Sequence, residues 1–167
     1  MALSPMPDLG PMLLAGSQEY SRRCLDLGSA AAQMIPHVSD IAYGLDPFQK
    51  LDLWIPKNRP PEPISVLVFF HGGAWRNGYK EWISAMAPAV TSSPAILVAP
   101  NYRLVPQVRL ADIMDDCQQA LSWVGKHIAD YGGDASRIIL AGHSAGGHLA
   151  AMLTVQRDLL CAAGLSK

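Results

Sequence analysis

Gly142-His143-Ser144-Ala145-Gly146 follows the apolar run Arg137-Ile138-Ile139-Leu140-Ala141 and opens an Ala- and Leu-rich segment with the composition of a helix. Strand, sharp turn and helix in that order make a nucleophile elbow, which holds a serine in a strained turn with its Oγ presented at the carboxyl end of a sheet. Flanking glycines make such a turn feasible. A β-carbon at Gly142 or Gly146 is expected to collide with the strand that the helix has just left. The pentapeptide alone is weak evidence, because serine just before an apolar helix is also a common N-cap. Its context has to decide.

Upstream of the elbow, Leu110, Ile113, Met114, Cys117, Leu121, Val124 and Ile128 keep helical spacing, with Asp112, Asp115 and Asp116 early and Lys126 late, as the macrodipole favours. Gly132-Gly133 supplies the stop. Residues 95–99 read as a buried strand closed by Pro100-Asn101-Tyr102-Arg103, and residues 79–90 as a helix. Residues 64–70 are an almost continuous apolar run, as expected of a strand buried on both faces. Residues 38–43 and 49–55 read as a half-exposed hairpin, in which Leu51, Leu53 and Ile55 alternate with polar residues or Trp54, and residues 56–63 as a surface linker. Residues 1–37 carry Pro5, Pro7, Pro11 and Pro36 around a helix near residues 19–27 and are expected to form an N-terminal arm or lid. The order hairpin, β, α, β, α, β, α predicts an α/β fold, a mostly parallel sheet with an N-terminal antiparallel hairpin.

Composition narrows the partners. The 167 residues are 50% hydrophobic and 16% charged, enough for one sizeable core. Thirteen Lys plus Arg against fourteen Asp plus Glu leave a formal net charge of −1, which favours neither nucleic acid nor an anionic membrane. Cys24, Cys117 and Cys161 lie far apart and outside any C-x-x-C pattern, so neither a disulfide framework nor a zinc site is expected, and a reducing compartment is. Residues 1–21 lack the basic start of a signal peptide and the apolar runs are too short to span a bilayer. The expectation is a cytoplasmic protein.

A second motif gives the elbow its context. His71-Gly72-Gly73-Ala74-Trp75 follows the buried strand 64–70, where glycines let the backbone approach a substrate oxygen closely. The N–H groups of Gly72 and Gly73, with that of Ala145, would form an oxyanion hole for a tetrahedral intermediate. His71 is expected to brace this loop by a hydrogen bond, His143 to fill the variable elbow position, and Trp75 to line a pocket or the core. His148 lies one helical turn beyond Ser144, but an elbow serine projects away from the helix that follows, so a packing or hydrogen-bonding role near the site is expected.

With both motifs in place the chain resembles the α/β-hydrolase superfamily and, within it, the kynurenine formamidase (arylformamidase) branch. That branch has H-G-G-x-W, matched by His71, Gly72, Gly73 and Trp75, and G-H-S-A-G-G-H, matched from Gly142 to His148. Asn101-Tyr102-Arg103-Leu104-Val105-Pro106 is similar to the family's segment after the following strand, and the resemblance covers residues 38–156. It implies a serine hydrolase in which Ser144 is the nucleophile, acting on an aryl formamide such as N-formylkynurenine in tryptophan catabolism. A formyl-enzyme is then hydrolysed to release kynurenine and formate, with no metal or organic cofactor. The alternatives are a carboxylesterase for short acyl or aryl esters and a non-catalytic truncated hydrolase-like module.

The resemblance also implies a triad in the chain order Ser, Asp or Glu, His. After Ser144 the sequence offers Asp158, placed on the helix that follows the elbow, and His148 as its one histidine. Residues 38–167 are therefore expected to be the N-terminal part of an α/β-hydrolase domain whose C-terminal strands are absent from this chain. The acid and base would come from the remaining C-terminal part, covalently joined or as a separate chain, packed against the strand of Ile138; a homodimer stays open. Isolated residues 1–167 are expected to aggregate or to bind an apolar dye.

Overall fold

The computed structural model describes residues 15–162, 164 and 165; Pro5, Pro7 and Pro11 of the expected arm lie outside them. Five strands form one sheet in the order β1-β2-β4-β3-β5, with β1 His37–Ala42, β2 Lys50–Trp54, β3 Ile64–Phe70, β4 Ala95–Pro100 and β5 Gly133–Gly142. β3 runs parallel to both β4 and β5, whereas β2 pairs antiparallel with both β1 and β4, so the hairpin makes the sheet mixed. The helices are α1 Ser17–Met34, α2 Ala87–Thr91, α3 Leu110–His127, α4 Ala145–Val155 and α5 Arg157–Ala162.

Alternation along the central strands sends side chains to two covered faces. Val66, Val68, Phe70, Ile96, Val98, Leu51 and Leu53 pack with Ile113, Cys117, Leu121 and Val124 of α3 and Leu149 and Leu153 of α4. Leu97, Ala99 and Trp54 pack with Ala31 and Ala32 of α1, Ile83 and Ala87, with Leu67 and Phe69 alongside. This two-sided burial is why β3 and β4 read as apolar runs without a polar stripe.

Four local expectations are corrected. The hairpin is not half-exposed along β2, where Leu51, Asp52, Leu53 and Trp54 are all buried, because the strand is paired on both sides and Asp52 meets Lys80 rather than water. Residues 79–90 are not one helix: a 3-10 segment, Lys80–Met86, gives way to α2, whose first turn holds Pro88, a residue the interior of a continuous helix would not accept. Gly132, in left-handed geometry at φ 82°, stops the preceding turn, but Gly133 already belongs to β5. A β-carbon on Gly133 would lie 2.6 Å from Ile128 and 2.9 Å from Val66, so this glycine serves packing. Finally, α4 ends at Val155, and Asp158 lies on the separate helix α5.

Candidate active site

The elbow forms where β5 meets α4. The His143 N–H still donates to Phe70 O of β3 at 3.2 Å, and the Gly146 N–H donates to His143 O at 2.9 Å to close the turn. Between them Ser144 has φ 51° and ψ −114°, a combination that favours glycine and that a non-glycine residue holds at a cost of about 1–3 kcal/mol. Its side chain makes no capping hydrogen bond. An N-cap serine would have extended geometry and would spend its hydroxyl on the first turn. The strained, exposed Ser144 does neither, and the N-cap reading loses.

Backbone crowding requires glycine at both positions, at Gly142 as the sequence suggests and at Gly146 in a different way. A β-carbon on Gly142 would lie 2.3 Å from the Gly146 carbonyl, a collision of strand end with helix start. A β-carbon on Gly146 would instead lie 2.1 Å from Phe70 O and 2.5 Å from His71 O. At Gly146 the helix start therefore packs on the neighbouring strand β3 rather than on the strand it has left. That contact sets the elbow beside the loop that leaves β3.

In this loop Gly73 has φ 127°, and Ala74 and Trp75 follow at φ 52° and 60°. The N–H groups of Arg76 and Asn77 both donate to Gly73 O at 3.0 Å, curling the chain back. A β-carbon on Gly72 would lie 2.7 Å from His143 Nδ1 and 3.4 Å from Ser144 Cβ, so the loop backbone touches the elbow. Ala145 is the first residue of α4, and its N–H belongs to the group that a helix leaves without an internal acceptor. Gly72 and Ala145 thus lie beside Ser144, with Gly73 next along the loop.

His71 is fully buried, and its Nδ1–H donates to Gly72 O at 2.8 Å. Burial lowers its pKa to about 4, which keeps the imidazole neutral near pH 7 and suits it to bracing rather than to acid–base work. The ring stacks on Tyr102 at 4.2 Å and 8°, and the Tyr102 hydroxyl donates to His71 O at 2.7 Å. Trp75 lies partly against the core, and its indole meets the exposed His148 ring edge-on at 5.3 Å and 87°. Among the described residues, no imidazole or carboxylate hydrogen-bonds Ser144 Oγ, and no group of three or more His, Cys, Asp or Glu side chains could hold a metal ion.

Two buried polar clusters escaped the reading of the sequence. Asp116, inside α3, accepts from Arg103 Nε at 2.9 Å and from Gln49 Nε2 at 2.8 Å, tying the segment after β4 to the hairpin. Lys80 Nζ meets Asp52 at 2.9 Å, Glu81 at 2.7 Å and Asp40 at 3.0 Å, and the Lys80 N–H donates to Asn101 Oδ1 at 2.7 Å. Asn101-Tyr102-Arg103 thereby clamps the oxyanion loop, α3 and the hairpin together. Its run of hydrogen-bonding side chains just after a buried strand was the available signal.

Strand order, elbow and facing glycine loop define an α/β-hydrolase. The BD-FAE family model matches residues 51–160, and the chain belongs to that family. It is 42% identical over 118 residues to the probable isoprenylcysteine alpha-carbonyl methylesterase ICMEL1 of Arabidopsis thaliana, covering 70% of this chain and 24% of that protein. It is 41% identical over 108 residues to the carboxylesterase NlhH of Mycobacterium tuberculosis, covering 64% and 33%. Among solved structures, a bacterial heroin esterase superposes with a TM-score of 0.67 at 26% identity, covering 89% of this chain and 49% of that one. The chain thus spans a quarter to a third of the length of these curated relatives. No helix among the described residues is long and apolar enough to cross a membrane.

Proposed function

We propose that the complete protein is a serine carboxylesterase for small acyl or aryl esters and that Ser144 is its nucleophile. The observation that carries this is a Ser144 held in glycine-type geometry in an elbow so close to the glycine loop that a β-carbon on Gly72 would meet His143 and Ser144. Ser144 Oγ attacks the acyl carbon and passes its proton to a histidine, while the new oxyanion rests on the N–H groups of Gly72, Gly73 and Ala145. The C–O bond to the leaving alcohol breaks as that proton is returned to it, and water hydrolyses the acyl-enzyme.

The histidine and its carboxylate partner are assigned to protein outside residues 1–167. The greater length of the relatives supports this. So does a groove of about 540 Å³ beside the edge strand β5, lined by Ile138, Leu140, Leu160 and Leu165. The relatives quoted are named for ester chemistry, which moves the carboxylesterase reading ahead of the aryl-formamide one. One observation keeps the latter as a second reading: Trp75 and His148, both in the formamidase-like motifs, pair edge-on and join the glycine loop to the helix after the elbow.

Parallel assays of the complete enzyme on a p-nitrophenyl ester and on N-formylkynurenine separate the two. Ester turnover with negligible formamide turnover is expected, and the reverse ranking overturns the order. A fluorophosphonate probe should label Ser144; an unlabelled protein is the inert module instead.

A further inference from the structure

We propose that Trp82 is a positioning residue for the oxyanion loop, and that helix α1 sets the place of Trp82 through Ser21. This rests on the esterase reading above. Ser21, on α1, is 6% exposed, and its Oγ accepts from Trp82 Nε1 at 2.9 Å. Tyr20 of α1 meets the Trp82 ring edge-on at 5.5 Å, and Tyr79 does so at 5.1 Å. Two hydroxyl-bearing helix residues and a buried tyrosine therefore hold this indole.

The indole is in turn placed against the loop. Gly78, at φ 100°, has no room for a side chain: a β-carbon there would lie 3.1 Å from Trp82 Cζ3, 2.6 Å from His71 Nδ1 and 2.2 Å from Gly72 O. The edge of the indole and the Gly72 carbonyl thus converge on the place that a side chain at Gly78 would take. That carbonyl shares a peptide plane with the Gly73 N–H, and in a trans peptide the two point in opposite directions. Whatever fixes Gly72 O aims the Gly73 donor. The His71 Nδ1–H bond holds the oxygen from one partner. The edge of Trp82, packed at the same place beside Gly78, limits its retreat.

The chain of contacts from Ser21 through Trp82 and Gly78 to the Gly72–Gly73 peptide couples α1 to an oxyanion donor, although α1 itself packs on Ile83 and Ala87 and not at the elbow. The arm is then part of the catalytic alignment. Lifting α1 would lower turnover without touching the substrate.

The test compares Ser21→Ala, Trp82→Ala and Trp82→Phe in the complete enzyme. Misaiming one oxyanion donor is expected to lower kcat for a p-nitrophenyl ester by about tenfold or more in Trp82→Ala, a fraction of what outright loss of a donor does. Ser21→Ala should show a smaller fall in the same direction, KM should stay within about twofold, and the rate of Ser144 labelling by a fluorophosphonate should fall by the same factor as kcat. Trp82→Phe, which keeps a ring behind Gly78, should recover most of the loss. Folded Trp82→Ala enzyme with unchanged kcat, or a loss carried by KM, overturns the proposal; if Trp82→Ala does not fold, an unchanged kcat in Ser21→Ala does so. Wild-type enzyme that neither turns over ester nor labels at Ser144 overturns the hydrolase reading itself, and this one with it.

Discussion

Gly72 lies beside Ser144, close enough that a β-carbon on Gly72 would reach van der Waals contact with Ser144 Cβ at 3.4 Å. The same carbon would lie 2.9 Å from His143 O, a main-chain atom that cannot swing aside. Gly72→Ala must push the loop off the elbow and separate oxyanion donor from nucleophile. We expect kcat to fall by about 10²-fold with folding retained, because one donor is worth about that much. Steady-state kinetics with a circular dichroism melt checks both halves.

Ser144 stores strain that its chemistry requires. At φ 51° and ψ −114° a glycine would be relaxed, so Ser144→Gly should abolish turnover while raising stability by about 1 kcal/mol. Urea unfolding of the complete enzyme and its variant measures this. A destabilised Ser144→Gly would show the turn to be unstrained.

Acid should weaken the fold through His71. Its folded-state pKa is lowered by burial from 6.5 to about 4, so the unfolded chain binds the extra proton between those values. Stability contributed by the neutral imidazole is present above about pH 6.5 and is lost as pH falls toward 4, to a total of about 3 kcal/mol. Unfolding free energies of wild type and His71→Asn, followed across that window, should differ in slope, with the variant flatter. Parallel slopes would rule His71 out.

Lys80 is 1% exposed beside Asp52 and Glu81, themselves 0% and 2% exposed. Burial pulls its pKa down, but the two carboxylates outweigh that and hold it above the ordinary lysine value. Lys80→Met leaves those carboxylates buried without their counter-charge, and a loss of about 3–5 kcal/mol is expected in a denaturant titration. Lys80→Met combined with Asp52→Leu should recover part of it, since removing both partners is far milder than removing one.

The elbow, the oxyanion loop and the buried strands were legible because each is local: adjacent glycines, an apolar run, a serine between strand and helix. Asp52 was read as a solvent-facing position of β2 because its partner Lys80 is 28 residues away, and nothing in the hairpin itself announces a buried charge. Tyr102 likewise reads in the sequence only as part of a strand end and a family-like segment; its bond to His71, across 31 residues, exists only once β3 and β4 lie side by side. Pro88, by contrast, is a local signal, and its place in the first turn of α2 is what divides residues 79–90. The direction in which Gly146 is crowded depends on strand order, which no pentapeptide contains.

The pressure of Gly146 on the Phe70 carbonyl joins nucleophile and oxyanion loop through main chain alone. Alignment and preference are therefore written in different atoms. Replacing Ala74, Trp75, His143 or His148 can reshape what the site admits while the backbone joint beneath stays as it is. One frame can in this way be retuned among acyl groups by ordinary side-chain drift, and the glycines are the positions at which drift must stop.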